Sequence, residues 1–235
     1  FSKAFMEMGY WALQPVARLL IAFRMTPNMI SWTSLIFAIF AGLSLCFGHF
    51  GFGAVFASVS FLLDSLDGMV ARMTGIASDA GEVLDAAIDR YAEFFYLAGL
   101  IIYYREIPFL VVLTLAALLG SFMVSYSTAK AEALGVEPPR GNMRRPERAV
   151  YLTLGALLSP ITIPWFETVS EYPVAIGYPM VVALALVALL SNVSAAERLW
   201  AIAVAIRSKQ SNANVQAEEF VSEEQTAEEK ESFPT

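Results

Sequence analysis

The sequence predicts an all-α, polytopic membrane protein, with six transmembrane helices preceded by an N-terminal interfacial amphipathic helix. Three observations predict it. The 235 residues are 57% hydrophobic and only 16% charged, with a mean hydropathy of +0.58, which excludes an ordinary soluble domain. The apolar residues fall into runs of about 20, the length an α-helix needs to cross hydrocarbon. Lysine and arginine collect on alternate connections between those runs instead of spreading evenly.

Taken in order, residues 1–26 form the amphipathic segment. Lys3, Glu7, Gln14 and Arg18 recur at steps of four and seven, opposite Phe5, Met6, Leu13, Val16, Leu20 and Phe23. A helix patterned in this way lies along a membrane surface. Pro15 is expected to kink it and Thr26-Pro27 to end it. Residues 27–209 form the six-helix catalytic domain, with spans near Met29–Phe47, Phe52–Val70, Leu84–Tyr104, Phe109–Ser127, Ala149–Phe166 and Val174–Val193. Pro160 and Pro164 are expected to kink or end the fifth. Ala196 to Lys209 is expected to form a second amphipathic helix.

Residues 210–235 differ in kind. They hold seven glutamates against the single Lys230, and so account for six of the seven net negative charges. A segment with so little to bury is expected to be a disordered acidic tail. Cys46, the sole cysteine, sits in an apolar run as filler, and His49, the sole histidine, sits in a Gly-rich turn. No cleavable signal peptide is expected, because the first apolar stretch is interrupted and no small-residue cleavage pattern follows it.

With six spans, one side of the membrane collects the lysines and arginines from Lys3 through Lys209, and the other keeps Arg105 alone. Positive-inside bias makes the first side cytoplasmic, so both termini are expected there, in the cell (inner) membrane.

The costliest residues lie near the cytoplasmic ends of spans two and three. Asp64, Asp67, Asp85 and Asp89 sit beside membrane-spanning runs, where an aspartate costs roughly 2.5–3.5 kcal/mol on insertion scales. Asp64 and Asp67 are three residues apart, and Asp85 and Asp89 four, so each pair shares a helix face. The short connection through Gly75 folds the two helices back as neighbours, with Asp79 as a solvated turn residue. Four carboxylates around one cavity repel unless cations compensate, and two hard divalent ions, Mg²⁺ or Mn²⁺, would do so. Such a pair clamps phosphate oxygens and stabilises a leaving group. Gly68 and Gly81 leave room for a large substrate at the helix backbone, and Arg72 suits phosphate oxygens. The alternatives are aspartates paired with Arg72 and Arg90, or a cation pathway through a transporter. A transporter would distribute its carboxylates across membrane depth, whereas these cluster near one end.

The pattern Asp64-x2-Asp67-Gly68-x2-Ala71-Arg72-x8-Gly81-x3-Asp85-x3-Asp89 resembles the signature of the CDP-alcohol phosphatidyltransferase (phosphotransferase) family at every fixed position. Thr26-Pro27-Asn28 resembles that family's entry to its first membrane helix, and the likeness runs from Phe1 to about Arg198. The resemblance implies a homodimeric enzyme of phospholipid biosynthesis that transfers a phosphatidyl group from a CDP-lipid such as CDP-diacylglycerol to a small alcohol, releasing CMP. It implies that Asp64, Asp67, Asp85 and Asp89 ligate two metals, and that Asp89 is also the catalytic base. It further implies a CDP-lipid site of Pro27, Asn28, Met29, Ile30, Gly68, Arg72, Ser78 and Gly81. No Ser/His/Asp or Cys/His nucleophile set competes with this reading, and phosphoryl transfer needs positioning and charge neutralisation more than a covalent intermediate.

The acceptor must be read elsewhere. Ser125-Tyr126-x2-Ala129-Lys130-Ala131-Glu132 and Arg145-Pro146-Glu147-Arg148 resemble the phosphatidylinositol-phosphate synthase branch of the family. That likeness implies an acceptor site of Lys130, Arg145, Arg148 and Arg198 for a phosphorylated alcohol, inositol 1-phosphate first. Glycerol 3-phosphate is the second choice, and a free alcohol such as serine the third. One position departs: Thr128 stands where that branch commonly carries a lysine.

Overall fold

The computed structural model describes residues 3–136, 141, 143–166 and 174–231, with side chains described for 11–136, 141, 143–163 and 174–211. Arg140 lies outside the described residues. The side chains of Lys3, Phe5, Met6 and Glu7, of Pro164 and of the tail glutamates lie outside the described side chains. The described residues form seven helices: α1 (Lys3–Ala22), α2 (Pro27–Cys46), α3 (Phe50–Thr74), α4 (Asp79–Tyr103), α5 (Pro108–Ala133), α6 (Arg145–Phe166) and α7 (Tyr178–Glu231).

Local chemistry sets most boundaries. Thr26 caps α2 by accepting from Met29 N at 3.3 Å, with Pro27 in the first turn, where a missing N–H costs nothing. Ser78 caps α4 by accepting from Gly81 N at 3.2 Å, and Asp79 and Glu82 place negative charge at the positive end of the helix dipole. Asp79 is thus the first helical residue of α4, not a turn residue. Glu147 reaches back from α6 to accept from Arg144 N at 2.7 Å, as in a capping box. Gly75 ends α3 with φ +71°, the left-handed conformation that glycine enters without a Cβ clash.

Among the described residues, four helices are long and apolar enough to cross a membrane: α2, α3, α5, and α7 over Tyr178–Ser211. The chain is therefore an all-α, multi-pass membrane protein. Helix α4 has the same 25-residue length as α3 but carries Asp79, Glu82, Asp85, Asp89, Arg90 and Glu93 in about its first four turns. Helix α6 opens on Arg145, Glu147 and Arg148. These charges line the site described below.

Two sequence expectations are corrected and one is narrowed. Helix α6 continues through Pro160 and Pro164 to Phe166, the end expected for the fifth span; of the two effects expected of the prolines, kinking or ending it, they do not end it. Around the interruption, Ser159 Oγ donates to Gly155 O at 2.7 Å and Thr162 Oγ1 to Ser159 O at 3.1 Å, so hydroxyls engage the backbone carbonyls. Ala196–Lys209 is not a separate helix but part of α7, and α7 runs on to Glu231 where a disordered tail was expected. No glycine or proline stands between Met180 and Glu231, and Ala, Glu, Gln and Lys favour helix when little else is decided by packing.

Helix α2 packs on α3 and α4, α5 on α4 and α7, α6 on α3 and α7, and α1 on α3. Leu45, Phe50, Leu97, Leu100, Met180 and Leu184 form the centre of the largest buried cluster. Tyr96 and Tyr103 of α4 and its C-cap Tyr104 anchor it. Tyr96 donates to Leu152 O at 2.9 Å, Tyr103 to Ala175 O at 2.7 Å and Tyr104 to Ile176 O at 2.6 Å, so each phenol is satisfied while its ring packs. Ala17 on α1 is buried with Ile30, Leu66, Met69 and Val70, whereas Trp11, Val16, Leu19 and Phe23 are exposed on its outer side.

Helices α2 and α4 touch backbone to backbone. A Cβ at Gly99 would land on the Gly42 carbonyl oxygen, and one at Gly42 on that of Phe95. Small residues at such crossings let membrane helices approach closely. Gly42→Ala or Gly99→Ala is expected to cost roughly 1–3 kcal/mol through overpacking. The measurement is thermal unfolding in detergent. Gly51→Ala, which meets only Pro160 Cγ at 3.7 Å, should not be destabilised.

Candidate active site

The end of α3 and the start of α4 meet beside the first turn of α2. Asp64, Asp67, Gly68 and Arg72 project from α3, and Gly81, Asp85, Asp89 and Glu93 from α4. Carboxylate oxygens of Asp64, Asp67 and Asp85 all lie within 4.8 Å of one another. Ser31 Oγ donates to Asp67 Oδ2 at 2.6 Å, and Gly68 N donates to Oδ1 at 2.5 Å, so Asp67 is aimed from two sides. Asp85 Oδ1 is buried without a hydrogen-bond partner among the described residues.

An all-oxygen donor set with an orphaned buried acceptor fits a hard divalent cation. Two ligands about 2.0–2.4 Å from one ion are separated by no more than about 4.8 Å. Asp64, Asp67 and Asp85 therefore meet the geometric demand of a shared metal.

Asp89 stands outside that triad, linked to it through Arg145. Arg145 Nη1 lies 2.5 Å from Asp64 Oδ2, and Nη2 lies 3.0 Å from Asp64 Oδ1 and 2.6 Å from Asp89 Oδ1. The Asp89 contact is an ion pair whose angle does not make a hydrogen bond. Of the residues expected at the acceptor, Arg145 thus lies against the aspartates. Arg90 forms no ion pair with them among the described residues; it donates to Ala86 O on its own helix, within electrostatic range of Asp85.

A cavity of about 650 Å³ opens from the triad. Pro27, Asn28, Gly68, Arg72, Ser78 and Gly81 line it together with Asp67 and Asp85. The Arg72 guanidinium lies over Gly68, where a Cβ would come within 3.3 Å of Nη1. Met29 and Ile30 are not on this wall, contrary to expectation. Ile30 is buried against α1 and α3, and Met29 is exposed. Successive helical residues step about 100° around the axis, so Pro27, Asn28 and Ser31 share the cavity face while 29 and 30 turn away.

The other basic residues divide. Arg148, 1% exposed, clamps Glu93 with Nε–Oε1 at 2.8 Å and Nη2–Oε2 at 3.1 Å. Arg198, 6% exposed on α7, donates from Nη1 to Thr128 Oγ1 at 2.8 Å, and its Nε has no hydrogen-bond partner among the described residues. Arg198 is within electrostatic range of Arg144 and Arg148. Lys130 does not join them. It is exposed in the last turn of α5, two residues past Thr128, and residues so spaced do not share a face.

Two residues escaped sequence reasoning. Ser31 could have been found at i+4 from Pro27, on the turn facing the aspartates. Glu93 carried a clearer signal, at i+4 from Asp89 and i+8 from Asp85 on the same stripe of α4. His49, exposed at the start of α3, is about 22 Å along the helix from Asp64 and takes no part.

The profile of the CDP-alcohol phosphatidyltransferase family matches residues 24–190. The phosphatidylinositol phosphate synthase of Mycolicibacterium smegmatis is 35% identical over 171 residues, covering 70% of this chain and 77% of that protein. That of Corynebacterium glutamicum is 32% identical over 170 residues, covering 70% and 78%. Among solved structures, Mycobacterium tuberculosis phosphatidylinositol phosphate synthase with CDP-DAG bound aligns with a TM-score of 0.68 and 30% identity, over 80% of this chain and 92% of that one. The same enzyme in complex with manganese and citrate aligns with a TM-score of 0.69 and 28% identity, over 80% and 87%.

Proposed function

The chain belongs to the CDP-alcohol phosphatidyltransferase family, and from that premise we propose that it transfers the phosphatidyl group of a CDP-lipid such as CDP-diacylglycerol to a hydroxyl of inositol 1-phosphate, releasing CMP. One observation carries the reading. The carboxylate triad opens on one side into the cavity lined by Gly68, Arg72, Ser78 and Gly81. On the other, Asp89 pairs with Arg145 at the start of α6, and Arg148 of the same turn and Arg198 of α7 are buried cations. In this reading the donor occupies the first side and the acceptor the second, with a carboxylate between them.

Asp64, Asp67 and Asp85, with Asp89, would hold two divalent cations, Mg²⁺ or Mn²⁺. When bound, these supply charge neutralisation at the phosphate oxygens and polarisation of phosphorus. Gly68 and Gly81 admit the diphosphate to the helix backbone, Arg72 pairs with its oxygens, and Pro27, Asn28 and Ser78 border the nucleotide. Asp89 takes the proton of the acceptor hydroxyl at a carboxylate oxygen. The freed oxygen forms its bond to the β-phosphorus as the bond to CMP breaks. Arg148 and Arg198 hold the phosphate of the acceptor, and Thr128 orients Arg198. Glycerol 3-phosphate is the second acceptor, since the same cations suit any small phosphorylated alcohol. A free alcohol such as serine would leave those buried cations without an anion.

The remaining features follow the same reading. Helices α4 and α6 also cross, giving six spans, with α1 lying in the interface on its exposed apolar side. The Lys and Arg distribution puts the site and both termini on the cytoplasmic face of the cell membrane. The enzyme acts as a homodimer.

Purified protein in detergent, labelled CDP-diacylglycerol and a panel of inositol 1-phosphate, glycerol 3-phosphate, free inositol and serine test the proposal. CMP release is expected with inositol 1-phosphate, lost on chelation and restored by Mg²⁺ or Mn²⁺. Preference for another acceptor replaces inositol phosphate, and release with none of them returns the chain to a transport or scaffold role.

A further inference from the structure

We propose that Glu93 is a positioning residue that sets how far the acceptor's phosphate is held from its reacting hydroxyl. The inference rests on the reading of Arg148 as a phosphate anchor. Glu93 follows Asp89 by four residues on α4, about 6 Å along the helix axis. Both carboxylates line one narrow cavity of about 80 Å³ between α2, α3, α4 and α6, with Arg145 beside them. Each is paired with an arginine from the start of α6: Asp89 with Arg145, and Glu93 with Arg148. The base and the anchor are therefore fixed on a rigid scaffold one turn apart.

The geometry of the Glu93–Arg148 pair defines what Arg148 can offer. Both carboxylate oxygens engage the Nε and Nη2 edge of the guanidinium, at 2.8 and 3.1 Å. Nη1 is 3.5 Å from Met143 O. A guanidinium has five N–H donors in a rigid fork, so a carboxylate on one edge leaves the Nη1/Nη2 edge to a second oxyanion. With its side chain 1% exposed and its Nε/Nη2 edge held by Glu93, Arg148 cannot swing to meet acceptors of differing length. The carboxylate also offsets the charge of an otherwise uncompensated buried arginine close to Arg198.

The test separates positioning from scaffolding. Glu93→Asp keeps the charge but withdraws the carboxylate by one methylene, so the variant is expected to fold and to raise the KM for inositol 1-phosphate by about 10-fold. The KM for CDP-diacylglycerol should stay within about twofold, because the donor cavity does not include Glu93. The ratio of kcat/KM for inositol 1-phosphate over glycerol 3-phosphate is expected to change, the signature of an altered span. Glu93→Gln should raise the acceptor KM further, toward about 100-fold. An unchanged acceptor KM in Glu93→Asp, or both KM values rising together with a lower unfolding midpoint, overturns the inference. A wild-type enzyme that prefers an unphosphorylated alcohol removes the anchor reading of Arg148 and this inference with it. That failure appears in the wild type, before any variant is compared.

Discussion

Asp89→Asn is expected to lower the single-turnover rate of CMP release by about 10³-fold or more while the protein still binds CDP-diacylglycerol. Removing a general base alone costs about 10²- to 10⁴-fold. Asparagine fills the same volume but cannot take a proton from the acceptor hydroxyl. The oxygens of Asp64, Asp67 and Asp85 meet within 4.8 Å without Asp89, so the change leaves three of the four metal-holding carboxylates in place. The donor cavity does not include Asp89 either. Rate and affinity should therefore separate. The rate is read by rapid quench with a saturating phosphorylated acceptor, and the affinity by equilibrium binding of labelled CDP-lipid. Residual turnover within tenfold of wild type would remove Asp89 from the base role. Equal loss of binding would make it primarily a donor-site ligand.

Arg148→Ala should lose transfer activity and also destabilise the fold by about 3–5 kcal/mol, the cost of leaving one half of a buried ion pair unpartnered. Here that half is Glu93, whose side chain is 11% exposed against 1% for Arg148. The double variant Arg148→Met with Glu93→Leu should recover most of that stability, since apolar groups of similar volume replace a buried pair at little cost. It should not recover turnover. Thermal unfolding in detergent and acceptor-dependent CMP release are read on the same preparations. If the double variant unfolds as early as Arg148→Ala, the pair contributes by packing and not by charge compensation. If either variant keeps its acceptor KM, Arg148 does not hold the acceptor.

The two expectations differ in how they could be reached. Asp89 is legible because its partners are local: Asp64, Asp67, Asp85 and Asp89 occupy 26 consecutive residues, and helical spacing alone puts each pair on one face. The apolar runs likewise foretold the helices, since crossing hydrocarbon demands length and composition that few other folds share. The Thr26-Pro27 and Ser78 caps marked two helix starts through hydrogen bonds no longer than three residues.

Side-chain direction across the bundle was not legible. Arg145 was grouped with the acceptor cations, yet it reaches an aspartate 81 residues away. Lys130 was grouped with Arg148 and Arg198, but it stands a half-turn from Thr128 along α5, and of the two it is Thr128 that meets Arg198. Met29 and Ile30 followed Pro27 and Asn28 in the chain and left the cavity wall for the same reason. The end of α7 shows the opposite error. Composition argued against a fold for residues 210–235, but a helix satisfies its own backbone and needs no core to continue from one already formed.

By itself, then, the sequence determined the helices and the carboxylate centre, because those depend on contacts between near neighbours, and its family resemblance implied the class of reaction. Only the tertiary structure decided which arginine serves which carboxylate. Those pairs join α6 to α3 and α4 across more than fifty residues. Their partners are selected by how the helices pack, which spacing along one helix does not encode.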